Sequence, residues 1–362
     1  MGAFVVFTAS ASHSGAGALR VRGADLSFTL ENEAANNVLS NGDGVQQIET
    51  ILANHGANYV RLRVWVNPVD GSSDLAATLQ LAARAHEAGL QIVLDLHYSD
   101  HWADRTTQTT PSAWHRQNPE ELAATVENYT QDVLNSLAAQ GTPVDIVQLG
   151  NEVIFGMLWP VGQIYGARGE DWRGFTNLLH AAVRGVRGSD SGSDPEIMID
   201  IDTGGDVDQS IYFFDHIEDA GVEYDLIGLT YYPFWQGSLN DLKQNLDTLA
   251  TRYNKDVLIA ETAYPWTLVD ADDEPNMVSD AADLPDGALY PPTPAGQQQF
   301  YQALRQILID VPDGHGAGFL IWEPGWLAGV NASAELGNAY DNLTLFDSGG
   351  QGLPALDAFT AP

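Results

Sequence analysis

Two glutamates, Glu152 and Glu261, each stand directly after a short apolar run, in Val147-Gln-Leu-Gly-Asn-Glu152 and Leu258-Ile-Ala-Glu-Thr262. A carboxylate placed at the end of a buried strand is costly unless something pairs it or uses it. Glycoside hydrolysis is one such use. It needs one carboxyl that stays protonated and serves as acid, and a second that stays ionised. A spacing of ~5–5.5 Å between them suits a retaining route and ~6.5–9.5 Å an inverting one. Desolvation and a negative neighbour would raise the acid's pKa, while Arg61 or Arg63 could keep the partner ionised. The competing reading is two carboxylates salt-bridged at a rim.

Eight short apolar segments are the elements that must position these groups: Val21–Phe28, Tyr59–Trp65, Gln91–His97, Asp145–Glu152, Ile197–Asp202, Asp225–Tyr231, Val257–Glu261 and Gly318–Glu323. Near-continuous apolar runs suit strands buried on both faces, as in parallel sheets. Amphipathic stretches lie between most of them. Val45, Ile48, Ile51 and Leu52 keep helical spacing up to Gly56, and Leu75–Ala88 stops at Gly89. Leu122, Val126, Tyr129, Val133 and Leu137 form a stripe closed by Gly141 and Pro143. Strands alternating with helices predict an α/β fold, a single (β/α)₈ TIM barrel over residues 19–362 with long loops after strands seven (Trp266–Gly296) and eight (Trp326–Phe346). An open doubly wound sheet is the alternative, but no G-x-G-x-x-G follows the first strand.

Polar and aromatic residues recur at the predicted strand ends. Asp25 and Ser27 end the first, and Arg61, Arg63 and Trp65 alternate outward on the second. Asp95, His97, Tyr98, Asp100 and Trp102 follow the third, and Asn151 and Glu152 end the fourth. Tyr231, Tyr232 and Trp235 follow the sixth, Glu261 ends the seventh, and Trp322, Glu323 and Trp326 follow the eighth. One such residue means little, but the pattern on nearly every strand means a site on one face. Strands four and seven lie across a barrel mouth, so Glu152 and Glu261 can face each other. His97 and His101 have the i, i+4 spacing of a helical zinc motif but flank a strand end, so a hydrogen bond from His97 to substrate is the reading preferred.

Composition narrows the partners. The chain has 362 residues, 44% of them hydrophobic, yet no apolar run long enough to cross a bilayer, so no membrane partner is expected. It has no cysteine, which excludes disulfides and thiolate chemistry. Its net charge is −34, with lysine only at positions 243 and 255, so no basic patch exists for nucleic acid. Such self-repulsion is screened at molar salt, and adaptation to a high-salt environment is the expectation. Residues 1–18 read as an export remnant or a flexible tail, which fits a secreted protein.

Ordered blocks of sequence carry a resemblance. They are Arg22-Gly-Ala-Asp25, Asn58-Tyr-Val-Arg-Leu-Arg-Val-Trp-Val-Asn-Pro68, Leu94-Asp-Leu-His-Tyr-Ser-Asp-His-Trp-Ala-Asp104, Gln148-Leu-Gly-Asn-Glu152, Gly156-Met-Leu-Trp-Pro160, Thr230-Tyr-Tyr-Pro-Phe-Trp235, Glu261-Thr-Ala-Tyr-Pro-Trp266, Trp322-Glu-Pro324 and Asp341-Asn342. From about Arg22 to Phe359 the chain resembles glycoside hydrolase family 53, the endo-β-1,4-galactanases, in a clan of retaining barrel glycosidases. The resemblance implies Glu152 as acid/base and Glu261 as nucleophile, with Arg61 and Tyr231 orienting Glu261. It implies that Asn151 binds the sugar 2-hydroxyl and that Trp102, Trp266 and Trp322 line sugar subsites. Asp25, Arg63, His97, Asp100, Trp235 and Asp341 complete the expected substrate-binding set. The implied partner is a galactan polysaccharide, met by a monomer that needs no organic cofactor.

Some relatives hold structural calcium in the loop after strand seven. Here Val269–Asp286 offers hard oxygens, with Asp270, Asp272 and Asp273 as candidate ligands, against a reading of plain surface acidity. Two stretches depart from the family: Phe28–Glu33, and Asp200 where a histidine is expected. Alternatives keep the barrel but change the polymer to mannan, xylan or cellulose, or make it a non-catalytic carbohydrate-binding barrel, whose mark would be a missing glutamate.

Overall fold

Each apolar segment forms a strand: β1 (Val21–Asp25), β2 (Tyr59–Val64), β3 (Gln91–Leu96), β4 (Ile146–Leu149), β5 (Glu196–Ile201), β6 (Leu226–Thr230), β7 (Asp256–Thr262) and β8 (Gly316–Ile321). In this computed structural model, which describes residues 19–69, 71–167, 169–330 and 337–360, they close into one parallel barrel. β8 pairs back on β1, Val21 opposite Gly318. The single α/β barrel predicted is the one that forms. The tail 1–18 lies outside the described residues.

The helices are α1 (Thr29–Ala34), α2 (Ile48–Asn54), α3 (Leu75–Glu87), α4 (Pro119–Gln140), α5 (Arg173–Arg187), α6 (Val207–Asp219), α7 (Pro233–Gln236), α8 (Leu239–Tyr253) and α9 (Pro294–Ile309). α4 shows why they form where they do. Asn118 and Glu121 cap its start reciprocally, Gly141 ends it at φ 90°, and Leu122, Val126, Val133 and Leu137 face inward. Each such buried leucine is worth roughly 1.5–3 kcal/mol. α2 starts three residues later than its predicted stripe, because Val45 is exposed.

The barrel interior is plugged by Val21, Tyr59, Val93, Ile146, Met198, Leu226, Leu258, Ala260, Ala317 and Leu320. Side chains two positions on face the same way along a strand. Asp25, Arg61, Asp95, Gln148 and Asp200 therefore form a polar layer above the plug, at the C-terminal mouth. Arg61 and Arg63 share the parity of Tyr59 and point into the barrel, not outward as predicted; both are about 1% exposed. At Gly228 a side chain would crowd this layer, since a Cβ would stand 3.0 Å from the Asp200 Cβ and from Met198.

Two irregularities aim the glutamates. β4 stops at Leu149 rather than running to Glu152; Gly150 turns the chain at φ 82° and Glu152 itself is left-handed at φ 49°, ψ 51°. In β7 the parity of Leu258 and Ala260 would send Glu261 outward. The β6–β7 register shifts, however, so that Leu229 pairs with Ile259 and Thr230 with Glu261. This bulge turns Glu261 into the mouth.

Candidate active site

Arg61 is the centre of the polar layer. Its Nε donates to Gln148 Oε1 (3.1 Å), Nη1 meets Asp25 Oδ2 (2.7 Å) and Glu261 Oε1 (2.8 Å), and Nη2 meets Asp95 Oδ2 (2.8 Å) and Asn151 Oδ1 (2.7 Å). A guanidinium has five N–H donors, so every one has a partner. One cation thus faces three carboxylates, with Asp200 close by. Protons must remain on some carboxyls of this layer. Burial first, then the Glu261 charge, pushes Asp200 up to about 8.

Glu261 and Glu152 differ in their neighbours. Glu261 Oε1 meets Arg61, and Oε2 accepts from Tyr232 Oη at 2.9 Å. Burial raises its carboxyl, but Arg61 and the Tyr232 hydroxyl pull it back. Burial also raises Glu152, and the next causes, Asp202, Glu261, Asp200 and Asp104, are all negative, so it lies well above the ordinary range. Its N–H donates to Asp200 Oδ2 at 3.2 Å. Both carboxyls are raised, but only Glu261 has a cation and a hydroxyl drawing it back, so Glu152 is the better placed of the two to carry the proton and Glu261 to ionise.

The tyrosine on Glu261 is Tyr232, which corrects the expectation of Tyr231. Adjacent residues leave a strand on opposite faces, so Tyr231 Oη turns away and donates to Gly237 O (2.8 Å), while its backbone N–H reaches Glu261 O (2.9 Å). His97 is corrected as well. Its Nε2 meets Asp95 Oδ2 (2.7 Å), and its Nδ1 accepts from Trp65 Nε1 (3.2 Å) and Ala103 N (3.3 Å), so no nitrogen is left for substrate. Asp100 Oδ2 is taken by Ser112, accepting from its N–H (2.9 Å) and hydroxyl (2.8 Å), while Oδ1 is without a hydrogen-bond partner among the described residues.

Asp25 and Arg63 support the site from behind. Asp25 Oδ1 accepts from Ser27 N (3.0 Å) and Oγ (2.6 Å); burial pushes its carboxyl up, but Arg61, Arg63 and Ser27 together hold it low. Arg63 lies 4.4 Å from the ring centres of Phe28 and Trp102 and 3.4 Å from Glu323 Oε1. It braces an aromatic wall. That wall continues through Trp322, 6.3 Å from Trp102 and 4.8 Å from Tyr340. Trp235 is half exposed and stands edge-on to Tyr232 at 5.2 Å. Trp266 makes no ring contact with this wall among the described residues; its backbone N–H is held by Asn342 O (3.0 Å). Asn151 Nδ2 donates to Ala103 O (2.9 Å), which leaves its second hydrogen for a ligand.

Sequence reasoning missed Gln148, Asp202 and Tyr340, and gave no role to Tyr232 or Asp200. Gln148 had a signal, being a lone polar residue inside an apolar strand at the parity of Glu152. Asp202 pairs with Arg105 Nε at 3.0 Å; burial pushes it up to about 6 against that pairing.

The acidic loop after β7 also differs from expectation. Asp270 and Asp272 gather with Asp341, their carboxylate oxygens within 4.8 Å of one another, while Asp273 is exposed and outside the group. Asp341 therefore belongs here and not with substrate. It is buried, neither oxygen has a well-formed hydrogen bond, and burial followed by Asp272 and Asp270 raises it to about 7. Asp272 Oδ2 accepts from Gly329 N (2.7 Å) and Asn338 N (2.8 Å), which ties the loops after β7 and β8 together.

Comparison with known proteins shows the family. A family model for glycosyl hydrolase family 53 matches residues 21–359. Arabinogalactan endo-beta-1,4-galactanase A of Aspergillus niger is 38% identical over 333 residues, 90% of either chain. A solved fungal beta-1,4-galactanase is 34% identical with a TM-score of 0.82, covering 94% of this chain and 99% of its own. The family 53 catalytic domain of Ignisphaera aggregans is 33% identical with a TM-score of 0.88, over 96% and 97%.

Proposed function

Because the chain belongs to glycosyl hydrolase family 53, we propose that it is an endo-β-1,4-galactanase that cleaves galactan side chains of pectin with retention of configuration. The observation that carries the retaining route is the pair of donors on Glu261. A carboxylate whose two oxygens are oriented by Arg61 and Tyr232 is held for attack on carbon. An inverting base would need an oxygen free to take a proton from water.

In the first step the Glu152 carboxyl gives its proton to the glycosidic oxygen as Glu261 attacks the anomeric carbon, forming a glycosyl ester. In the second, Glu152, now a carboxylate, takes a proton from water. The water oxygen joins the anomeric carbon and Glu261 leaves as a carboxylate. The free Asn151 N–H lies ready for the 2-hydroxyl beside that carbon. Trp102, Trp322 and Tyr340 offer planes on which the apolar C–H faces of pyranose rings can pack.

Incubation with galactan, mannan, xylan and cellulose tests the substrate. Reducing ends should appear on galactan first, and the new anomeric centre should be β in early NMR spectra. Release from another polymer alone, or an initial α-anomer, would refute the assignment.

Two further proposals concern stability. The orphaned buried oxygens of Asp341 fit a hard cation, so Asp270, Asp272 and Asp341 would hold calcium and pin the two long loops. The charge of −34 makes the fold dependent on screening. One set of thermal melts checks both. Tm should climb from low to molar NaCl as the Debye length shrinks to ~3 Å. At fixed salt, a chelator should lower it. A Tm flat or falling with salt ends the screening proposal, and indifference to chelator ends the calcium proposal.

A further inference from the structure

A second aromatic feature lies on the rim, apart from the wall around the glutamates. Phe155, Tyr165, Trp172 and Tyr212 line a cleft of about 290 Å³ with Asp208 and Gln209, near the size where ligand clefts begin (~300 Å³). Tyr165 and Tyr212 are 44% and 46% exposed, which no packing need explains. Their placement is not loose. Glu170 Oε1 accepts from both Trp172 Nε1 and Tyr212 Oη at 2.6 Å, Trp172 stacks on His216 at 4.2 Å, and Tyr165 stands edge-on to Phe155 at 5.7 Å. Rings held in advance cost little entropy when a ligand settles on them.

The cleft lies on the same end of the barrel as the catalytic mouth. Trp172 directly precedes α5, and Asp208, Gln209 and Tyr212 belong to the start of α6. These helices follow β4 and β5, so their first turns stand on the C-terminal face. Phe155 lies three residues beyond Glu152 in the chain, and the Arg105 guanidinium lies 5.4 Å over its ring while Nε binds Asp202. Asp202 stands two residues beyond Asp200, whose Oδ2 accepts from the Glu152 N–H at 3.2 Å. A path of adjoining side chains thus runs from the general acid to the exposed rings.

The acid protonates the oxygen that departs with the leaving chain, so the sugars of that chain lie on the Glu152 side. We propose that this cleft binds the leaving-group end of the substrate, as β-linked galactosyl units beyond the one next to the scissile bond. This rests on the reading of the chain as an endo-galactanase. Ring faces stack on the pyranose C–H surfaces, and Gln209 and Asp208 offer hydrogen bonds to hydroxyls at the edge.

The test compares Tyr165→Ala and Tyr212→Ala with the unaltered chain on two substrates: polymeric galactan, and a nitrophenyl galacto-oligosaccharide whose leaving group is too short to reach the cleft. Each variant should lose about tenfold in kcat/KM on galactan, ~1.4 kcal/mol, mainly through KM. The change on the aryl substrate should stay below twofold. Equal losses on both substrates, or none on either, would overturn the proposal. Tyr165 sits on a two-residue hairpin rung, so its variant keeps the comparison open should Tyr212→Ala fail to fold. An unaltered chain that leaves galactan intact would instead sink the activity itself, and this site with it.

Discussion

Glu261→Ala is expected to abolish galactan hydrolysis by several orders of magnitude while leaving the protein folded. Loss of a catalytic nucleophile elsewhere costs ~10⁶-fold in kcat, and among the described residues no other carboxyl is held by both Arg61 and Tyr232. Burial and negative neighbours favour the protonated form of Glu152, and Asp25 and Asp95 are tied to Arg61 beneath the surface. Folding should survive for an electrostatic reason. Arg61 meets three carboxylates, so deleting one leaves it still paired and removes part of the surplus negative charge. The variant's Tm should equal or exceed that of the unaltered chain, as is common where an active site is held against its own stability. Azide should restore cleavage of a nitrophenyl β-galacto-oligosaccharide in this variant, giving the α-azide, because a small anion can fill the space left by the carboxylate. Activity within tenfold of normal, or a rescued product of β configuration, would remove Glu261 from its role.

The fold was legible because strands buried on both faces read as near-continuous apolar runs, and because glycines at 56, 89 and 141 punctuate the helices. The polar layer was legible only in part. Arg61, Asp95 and Asn151 stood out by residue type, but type does not say what a side chain faces. Parity does so along regular strand. Carried from Leu226 through Gly228 and Thr230, it reaches Tyr232 and not Tyr231, so the right tyrosine was within reach. Parity fails at Glu261, which sits beyond a register shift that no residue type announces. His97 was misjudged because its nitrogens are satisfied by Asp95, two residues back on the same face of β3, by Trp65 at the end of β2 and by Ala103 across a turn; strand parity announced only the first. Asp341 joining Asp270 and Asp272 is a meeting of two long loops, and periodicity carries no information about loop pairing.

Arg61→Met, which roughly keeps the side-chain volume and removes the charge, should be the most destabilising single change in the barrel. Removing one partner from a buried ion pair costs about 3–5 kcal/mol because a charge is left without compensation. Here three carboxylates lose their cation together, and Gln148 and Asn151 each lose a donor. Denaturant midpoints should fall accordingly. The deficit should also depend on pH, with a sign that follows from the carboxyls. In the unaltered chain burial pushes Asp25 up, yet Arg61 and its other donors hold it low. It therefore contributes stability above its unfolded pKa of ~3.9, and loses that contribution as pH falls. Without Arg61 only Arg63 and Ser27 oppose burial, the carboxyl moves up, and stability then drops as pH rises past the unfolded value toward neutrality. The gap between variant and unaltered chain should widen from pH 5 to pH 7. Glu261, freed from the same guanidinium, should hold its proton to higher pH, so the acid limb of any residual activity moves upward. A midpoint within 1 kcal/mol of the unaltered chain, a gap that narrows with pH, or an acid limb that stays put would show that Arg61 does not set the charge state of this layer.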